Sequence, residues 1–238
     1  MKIKLRIIIV NFLVLFYFAG FFLNPAASQE RFKSYFQDYY VDFRNEKNVR
    51  IVAKSADKIK IFMDIEDPVV KGFSIKIIDQ LKNYGVNNLE IVKNIQDANY
   101  FILSEIDAKS YLIDRKDFFK NFYFTDQEFS DSIKSLERSK NSGAYVCKIK
   151  RKVTLNEDIG YVLFERSSSI PEKLKCINLG ILLMYGFAKN EKSNIPSVLG
   201  GGGNFFQMTE FDKNALKFFS GVKFKGFVLY SDFLNNIK

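Results

Sequence analysis

Between positions 171 and 187 the chain offers almost no polar face. Leu174, Ile177, Leu179, Ile181, Leu182, Leu183, Met184 and Tyr185 spread round every side of a helix that Pro171 opens. A surface helix keeps one face for water, so a helix apolar all round belongs in the middle of a fold. The remaining elements must therefore wrap this segment.

The flanking pattern supplies the wrapping. At 30–45, Phe32, Tyr35, Phe36, Tyr39, Tyr40 and Phe43 recur at three- and four-residue spacing, which predicts a short docking helix. Alternation at 49–54 and 58–65 around Ser55-Ala56-Asp57 predicts a β-hairpin. Asp67-Pro68 reads as a cap and a first-turn proline, and Gly85 as a stop. The helix between them carries an apolar stripe of Val69, Phe73, Ile77, Leu81 and Tyr84. Strands are expected at 89–92, 99–106, 144–153 and 159–165, with charge-rich helical structure over 107–140. A long loop at 188–208 and helices near 209–220 and 227–237 complete the chain. Strands interleave with helices, and no repeat or Pro- or Ser-rich linker divides them. The expectation is one α+β domain over 29–238, a mixed sheet around a central buried helix.

The first 28 residues read as an address. Lys2, Lys4 and Arg6 precede an apolar run at 7–23 that only Asn11 and Gly20 interrupt. Pro25 then breaks the run, and Ala26-Ala27-Ser28 places small residues before Gln29. This is the layout of a secretory signal peptide, with an uncleaved inner-membrane anchor as the rival. The run lies at the lower edge of the roughly 17–25 residues that span a bilayer. Either reading puts the folded part outside the cytoplasm, in the periplasm or secreted. There Cys147 and Cys176 would meet oxidising conditions, and a disulfide between them is the simple expectation.

The chain has no histidine. That removes Ser-His-Asp and Cys-His nucleophiles, HExxH zinc sites and every His-ligated metal. Two cysteines cannot form a tetrahedral thiolate zinc site either, so no cofactor is expected. The formal charge is +9, from 36 Lys+Arg against 27 Asp+Glu, and falls to +6 without Lys2, Lys4 and Arg6. Nucleic acid is not the expected partner, because an exported chain without a recognition motif has no means of reading it. An envelope protein or a glycan is expected instead, with the membrane engaged only through an uncleaved N-terminal segment.

From Cys147 onward, several pieces share one layout. They are the strand Gly160-Tyr161-Val162-Leu163-Phe164, the helix opening Lys175-Cys176-Ile177, then Tyr185-Gly186-Phe187 with Lys189-Asn190. Ser197-Val198 and Met208-Thr209-Glu210-Phe211-Asp212-Lys213 follow. Over roughly 48–225 the chain resembles the domain of unknown function 2927 family of exported bacterial proteins. That resemblance implies a zincin-like architecture that has lost its metal. With Gly186 as the motif glycine, the two ligand positions fall on Leu179 and Leu183 and the general-base position on Gly180. Neither leucine nor glycine can bind zinc or take a proton, so the resemblance implies a pseudoenzyme that binds rather than cleaves. For such a binding role the expected working surface is the groove beside the 171–187 helix, bounded by the 190–208 loop.

Three further features carry candidate chemistry. Lys148, Lys150 and Lys152 share one face of a strand and are candidate contacts for an anionic partner, or else a solvated sheet face. Gly200-Gly201-Gly202-Gly203 lacks the Lys-Ser/Thr pair of a phosphate-binding loop and reads as surface. Carboxylates cluster at Asp64/Glu66/Asp67, Glu105/Asp107, Asp126/Glu128 and Glu157/Asp158. Glycoside hydrolysis needs two facing each other about 5–10 Å apart, whereas turn and cap chemistry explains neighbours in sequence. A carboxylate-based envelope hydrolase is the alternative function, and a membrane-anchored structural protein is a third. Phe205, Phe206 and Phe224 form a candidate partner patch.

Overall fold

The computed structural model describes residues 25–39, 43–44, 50–53, 58–154, 156–187, 189–190, 192–200, 207–221, 227–229 and 232. Helix α1 (Pro25–Tyr39) leads to β1 (Phe43–Arg44) and β2 (Arg50–Ala53). Then come β3 (Ile59–Asp64), α2 (Pro68–Asn83), β4 (Leu89–Val92) and β5 (Tyr100–Glu105). Short helices α3 (Ala108–Asp114) and α4 (Lys116–Phe119) precede α5 (Asp126–Asn141), the hairpin strands β6 (Cys147–Val153) and β7 (Asp158–Glu165), and α6 (Ile170–Met184). Helix α7 (Glu210–Gly221) and β8 (Phe227–Leu229) follow.

The fold is α+β, built on a mixed five-stranded sheet in the order β4-β3-β5-β7-β6. Strands β4, β3, β5 and β7 run parallel, and β6 closes one edge antiparallel to β7. Helices cover both faces. One core joins α1, α2, α6 and α7 to the sheet through residues such as Tyr35, Ile61, Val162, Ile181 and Phe219. The other joins α3, α4 and α5 to it through Phe101, Leu112, Phe119, Phe129 and Tyr161. A sheet covered on both faces takes nearly continuous apolar strands, and Tyr100-Phe101-Ile102-Leu103 is one.

Helix α6 is largely buried, although Leu174, Leu179 and Leu183 remain half-exposed. It packs on β6, β7 and α2, and Cys176, Ile177, Ile181 and Leu182 are fully buried. Gly180 sets the approach, since a Cβ there would sit 2.1 Å from Val162 Cγ2 on β7. The cap is reciprocal, Ser169 N donating to Glu172 Oε2 at 2.8 Å. The disulfide Cys147–Cys176 ties α6 to β6, with Cα atoms 5.8 Å apart.

The hairpin expected at 49–54 and 58–65 does not form. β2 pairs with β1 and β8 in a separate three-stranded sheet, while β3 takes parallel partners β4 and β5. Alternation fixes strand character but not the partner, and a parallel neighbour reached through α2 won. On α2 the buried row is Val70, Ser74, Ile78 and Leu81, one residue round from the expected stripe, and Val69 and Phe73 are exposed. Ser74 hid this row in the sequence. Its hydroxyl donates to Val70 O at 2.7 Å, so it enters the core satisfied. The stretch 107–140 breaks into α3, α4 and α5, with Thr125 capping α5 by accepting from Glu128 N at 3.1 Å. Phe227–Leu229 is a strand rather than the start of a helix; three successive β-favouring residues find a partner in β2. Of 1–28, only the first turn of α1 at 25–28 lies within the described residues. Among the described residues, no helix is long and apolar enough to cross a membrane.

Two stability tests follow from α6. Gly180→Ala forces the Val162 contact and should cost about 1–3 kcal/mol. Gly72→Ala, in an open position on α2 with nothing within 4 Å of the new methyl, should gain about 0.5–1 kcal/mol. Urea titrations of both variants check the pair, and equal midpoints would remove the close-approach account. Cys176→Ser should lose about 3–4 kcal/mol in oxidising buffer, from a closed loop with a sequence separation of 29, and much less under reductant. Melting curves with and without reductant read that difference.

Candidate functional site at the carboxyl ends of the sheet

Parallel topology creates a crevice where successive connections leave a sheet on opposite faces. That happens between β3 and β5. The chain after β3 turns into α2 on one face, and the chain after β5 turns into α3 on the other. Beside this point, on the α3 face, lies an open cleft of about 740 Å³. Phe62 and Asp64 of β3 with Phe101 and Leu103 of β5 form its floor. The segment after β4, Lys93 to Gln96, makes one wall, and Tyr111 of α3, Phe118 of α4 and Arg115 between the two helices make the other. Its size falls within the range of about 300–1,000 Å³ usual for small-ligand sites.

The register assembles charge here from three strands. Asp64 pairs with Leu103, and Glu105 pairs with Glu165. Side chains alternate faces along a strand, so Asp64, Glu105 and Glu165 all point to the cleft face. Glu165 is consumed structurally, since its Oε1 accepts from Ala108 N at 3.2 Å and starts α3. Glu105 faces Arg166 Nη2 at 3.7 Å, and the same guanidinium holds Glu66. Arg166 Nε donates to Ser104 O at 3.4 Å, and Glu66 N donates to Ser104 Oγ at 3.2 Å, fixing the turn after β3.

Burial raises the Glu105 carboxyl above the ordinary carboxylate range. Arg166 and Arg115 pull it down and Asp64 and Glu66 push it up, without reversing the burial effect. Burial likewise raises the Tyr111 phenol, against the pull of Arg115. The Arg115 guanidinium stands 5.0 Å from the Tyr111 ring centre, a cation–π contact that aims it along the cleft wall. The arrangement offers an aromatic floor, cations of two kinds and acceptor carboxylates. Among the described residues, no group of three or more Cys, Asp and Glu side chains could hold a metal ion.

The structure brings together two of the four carboxylate clusters. The turns after β3 and β5 bring Asp64/Glu66 beside Glu105, while Asp67 and Asp107 cap α2 and α3. Asp126 pairs with Lys120, and Glu128 accepts from Phe124 N and Lys150. Asp158 grips Arg151 in a bidentate pair of 2.9 and 3.0 Å at the far end of the sheet.

The lysine row faces α5 and the turn before it. Lys148 Nζ donates to Ser135 Oγ at 3.0 Å, and burial lowers its pKa. Lys150 pairs with Glu128 at 3.1 Å over the Tyr123 ring, and Lys152 donates to Asn121 O at 3.0 Å. Leu179 and Leu183 are half-buried on α6 with Gly180 packed on β7. The described part of the 190–208 loop lies on α1, with Val198 and Leu199 in the core. Thus the segment beside α6 packs shut over 192–200, and the cleft lies across the sheet from it. Gly201, Gly202, Gly203, Phe205, Phe206 and Phe224 lie outside the described residues. Sequence reading did not single out Lys93 and Arg115, which come to one cleft with Tyr111 only through the pairing of β4, β3 and β5, nor Arg166, which reaches Glu66 and Glu105 from the turn after β7.

No protein-family model matches this chain, and no solved structure matches it. Among curated proteins, 71 residues are 30% identical to the tRNA uridine 5-carboxymethylaminomethyl modification enzyme MnmG 1 of Fusobacterium nucleatum subsp. nucleatum. The match covers 30% of this chain and spans 11% of that enzyme. A likeness of that extent shows no shared family.

The Glu105 shift has a pH signature. A carboxyl whose folded pKa is raised costs stability as pH climbs from its unfolded value of about 4.3 through the folded one. Glu105→Gln should therefore melt higher relative to the parent at pH 7.5 than at pH 4. Thermal melts at both values check the sign; a constant difference would mean Glu105 is as well solvated folded as unfolded.

Proposed function

We propose that this is an exported, non-catalytic protein of the bacterial cell envelope that acts by holding an envelope component. The observation that carries this is the cleft over β3 and β5, where a ligand can meet an aromatic floor and charges of both signs. The basic, apolar and small-residue order of 1–28 supports export, either as a cleaved signal or as an inner-membrane anchor. The Cys147–Cys176 bridge fits an oxidising compartment. The absence of histidine removes the commonest general base, and Leu179, Gly180 and Leu183 leave nothing for a zinc mechanism. The resemblance to the domain of unknown function 2927 family, with its degenerate zincin-like domain, points the same way.

A second reading rests on one observation, the convergence of Asp64 and Glu105 on the cleft face with the Glu105 acid held protonated to higher pH. That is the environment of a general acid in glycoside hydrolysis, and it keeps a carboxylate-based envelope hydrolase as the alternative.

One experiment separates them. The purified protein is titrated onto isolated murein sacculi and onto envelope membranes, and the supernatant is assayed for soluble fragments. Binding should saturate with no fragment released. Gln96→Trp, which fills the cleft from its exposed wall, should leave melting unchanged and lower the affinity at least tenfold. Saturation that Gln96→Trp leaves untouched would take the function away from the cleft. Fragments that disappear with Glu105→Gln would establish the hydrolase.

A further inference from the structure

The charges on the cleft wall define what the cleft takes. Lys93 and Arg115 lie on opposite walls, one after β4 and the other between α3 and α4. Among the described residues, neither has a carboxylate within ion-pair distance, although elsewhere on this surface Lys109, Lys120 and Lys140 all do. Arg115 is oriented by the Tyr111 ring instead, which leaves the outer edge of its guanidinium available for a bidentate carboxylate. Among the described residues, Asp64 at the floor and Asp114 and Asp117 at the rim have no cationic partner within that distance either. Unpaired charges of both signs therefore surround one apolar floor.

A purely anionic ligand would face three carboxylates, and a purely cationic one would face Lys93 and Arg115. A ligand carrying an ammonium and a carboxylate on an apolar body satisfies both sets. We infer that the cleft is a site for a short zwitterionic peptide, its carboxylate on Arg115, its ammonium on Asp64 and its body over Phe62, Phe101 and Leu103. A free amino acid has the same two charges. The cleft, at about 740 Å³, has room for several residues, which assigns it to a peptide. The inference rests on the proposed binding role and names its ligand class.

Calorimetry with the intact protein tests it, using Ala-Leu-Ala, its N-acetyl form, its C-amide form and free alanine as probes. Ala-Leu-Ala should bind more tightly than alanine, and each blocked form should bind about tenfold more weakly, the loss of one charged hydrogen bond. Arg115→Gln should remove the penalty for amidation alone, and Asp64→Asn the penalty for acetylation alone. Both positions are exposed, so the variants should fold, and unchanged melting checks this. Equal binding of free and blocked peptides would overturn the zwitterion assignment, as would no binding of any probe. Saturable sacculus or membrane binding that is still lost in Gln96→Trp would then leave the binding role standing with a different ligand. Alanine binding as tightly as the tripeptide would overturn the peptide assignment.

Discussion

The contact between Gly180 and Val162 sets the distance on which the rest of the structure depends. A helix with side chains on all faces ordinarily stands about 10 Å from a sheet. Here the absence of a Cβ at 180 lets α6 settle onto β7, so that Cys176 reaches Cys147 and Ile177 and Ile181 enter the sheet's core. Once α6 lies there, α2 can pack beside it, and β3, which α2 joins to β4, takes its place in the sheet between β4 and β5. The crevice at the carboxyl ends is thus a consequence of packing on the opposite face. Val162 meets α6 while its neighbours Tyr161 and Leu163 build the layer under α3 and α4.

A second, polar anchor holds the outer shell. Asp212 is fully buried, and both its oxygens are occupied. Tyr35 Oη and Ser197 Oγ donate to Oδ1 at 2.7 and 2.5 Å, and Val198 N and Thr209 N donate to Oδ2 at 3.1 and 2.8 Å. A buried carboxylate is tolerable only with such full satisfaction. Its ligands come from α1, the 192–200 loop and the cap of α7, so one side chain joins three segments far apart in sequence. Burial and the neighbouring Asp212 charge both push the Tyr35 phenol well up, which keeps it a donor at every physiological pH. The segment that the sequence suggested as the wall of a groove is therefore a clasp on α1.

What could be read from sequence was what depends on local pattern. The apolar helix, the docking helix with its buried Tyr35, Phe36 and Tyr39, the two strands expected at 144–153 and 159–165 and the cysteine bridge were all legible from periodicity, caps and composition. What could not be read was pairing. Parallel partners are joined through crossovers, and nothing local in Ile59–Asp64 says that its neighbours are β4 and β5 rather than β2. The same gap hid the cleft. Glu66 and Glu105 read as separate turn residues, because only the register of three parallel strands lets the one guanidinium of Arg166 reach both carboxylates. The α2 stripe failed for a smaller reason, a serine whose hydroxyl is satisfied inside its own helix.

Binding and hydrolysis differ here in what each demands of Glu105. As a general acid it would need a proton at working pH and an unpaired oxygen facing the substrate. Burial supplies the first tendency, but Arg166 engages the carboxylate from the turn after β7, and its charge opposes protonation. The opposing carboxylate, Asp64, is exposed and is positioned by the end of a strand alone, with no donor among the described residues fixing its oxygens. A nucleophile or base works through geometry held within a fraction of an ångström, usually by hydrogen bonds behind it. Ligand binding tolerates a mobile acceptor and makes use of the Arg166 bridge, which keeps the two acidic turns together without neutralising the cleft. The groups at this site are thus organised for attraction more than for proton transfer, and that difference favours a holding role over a cutting one.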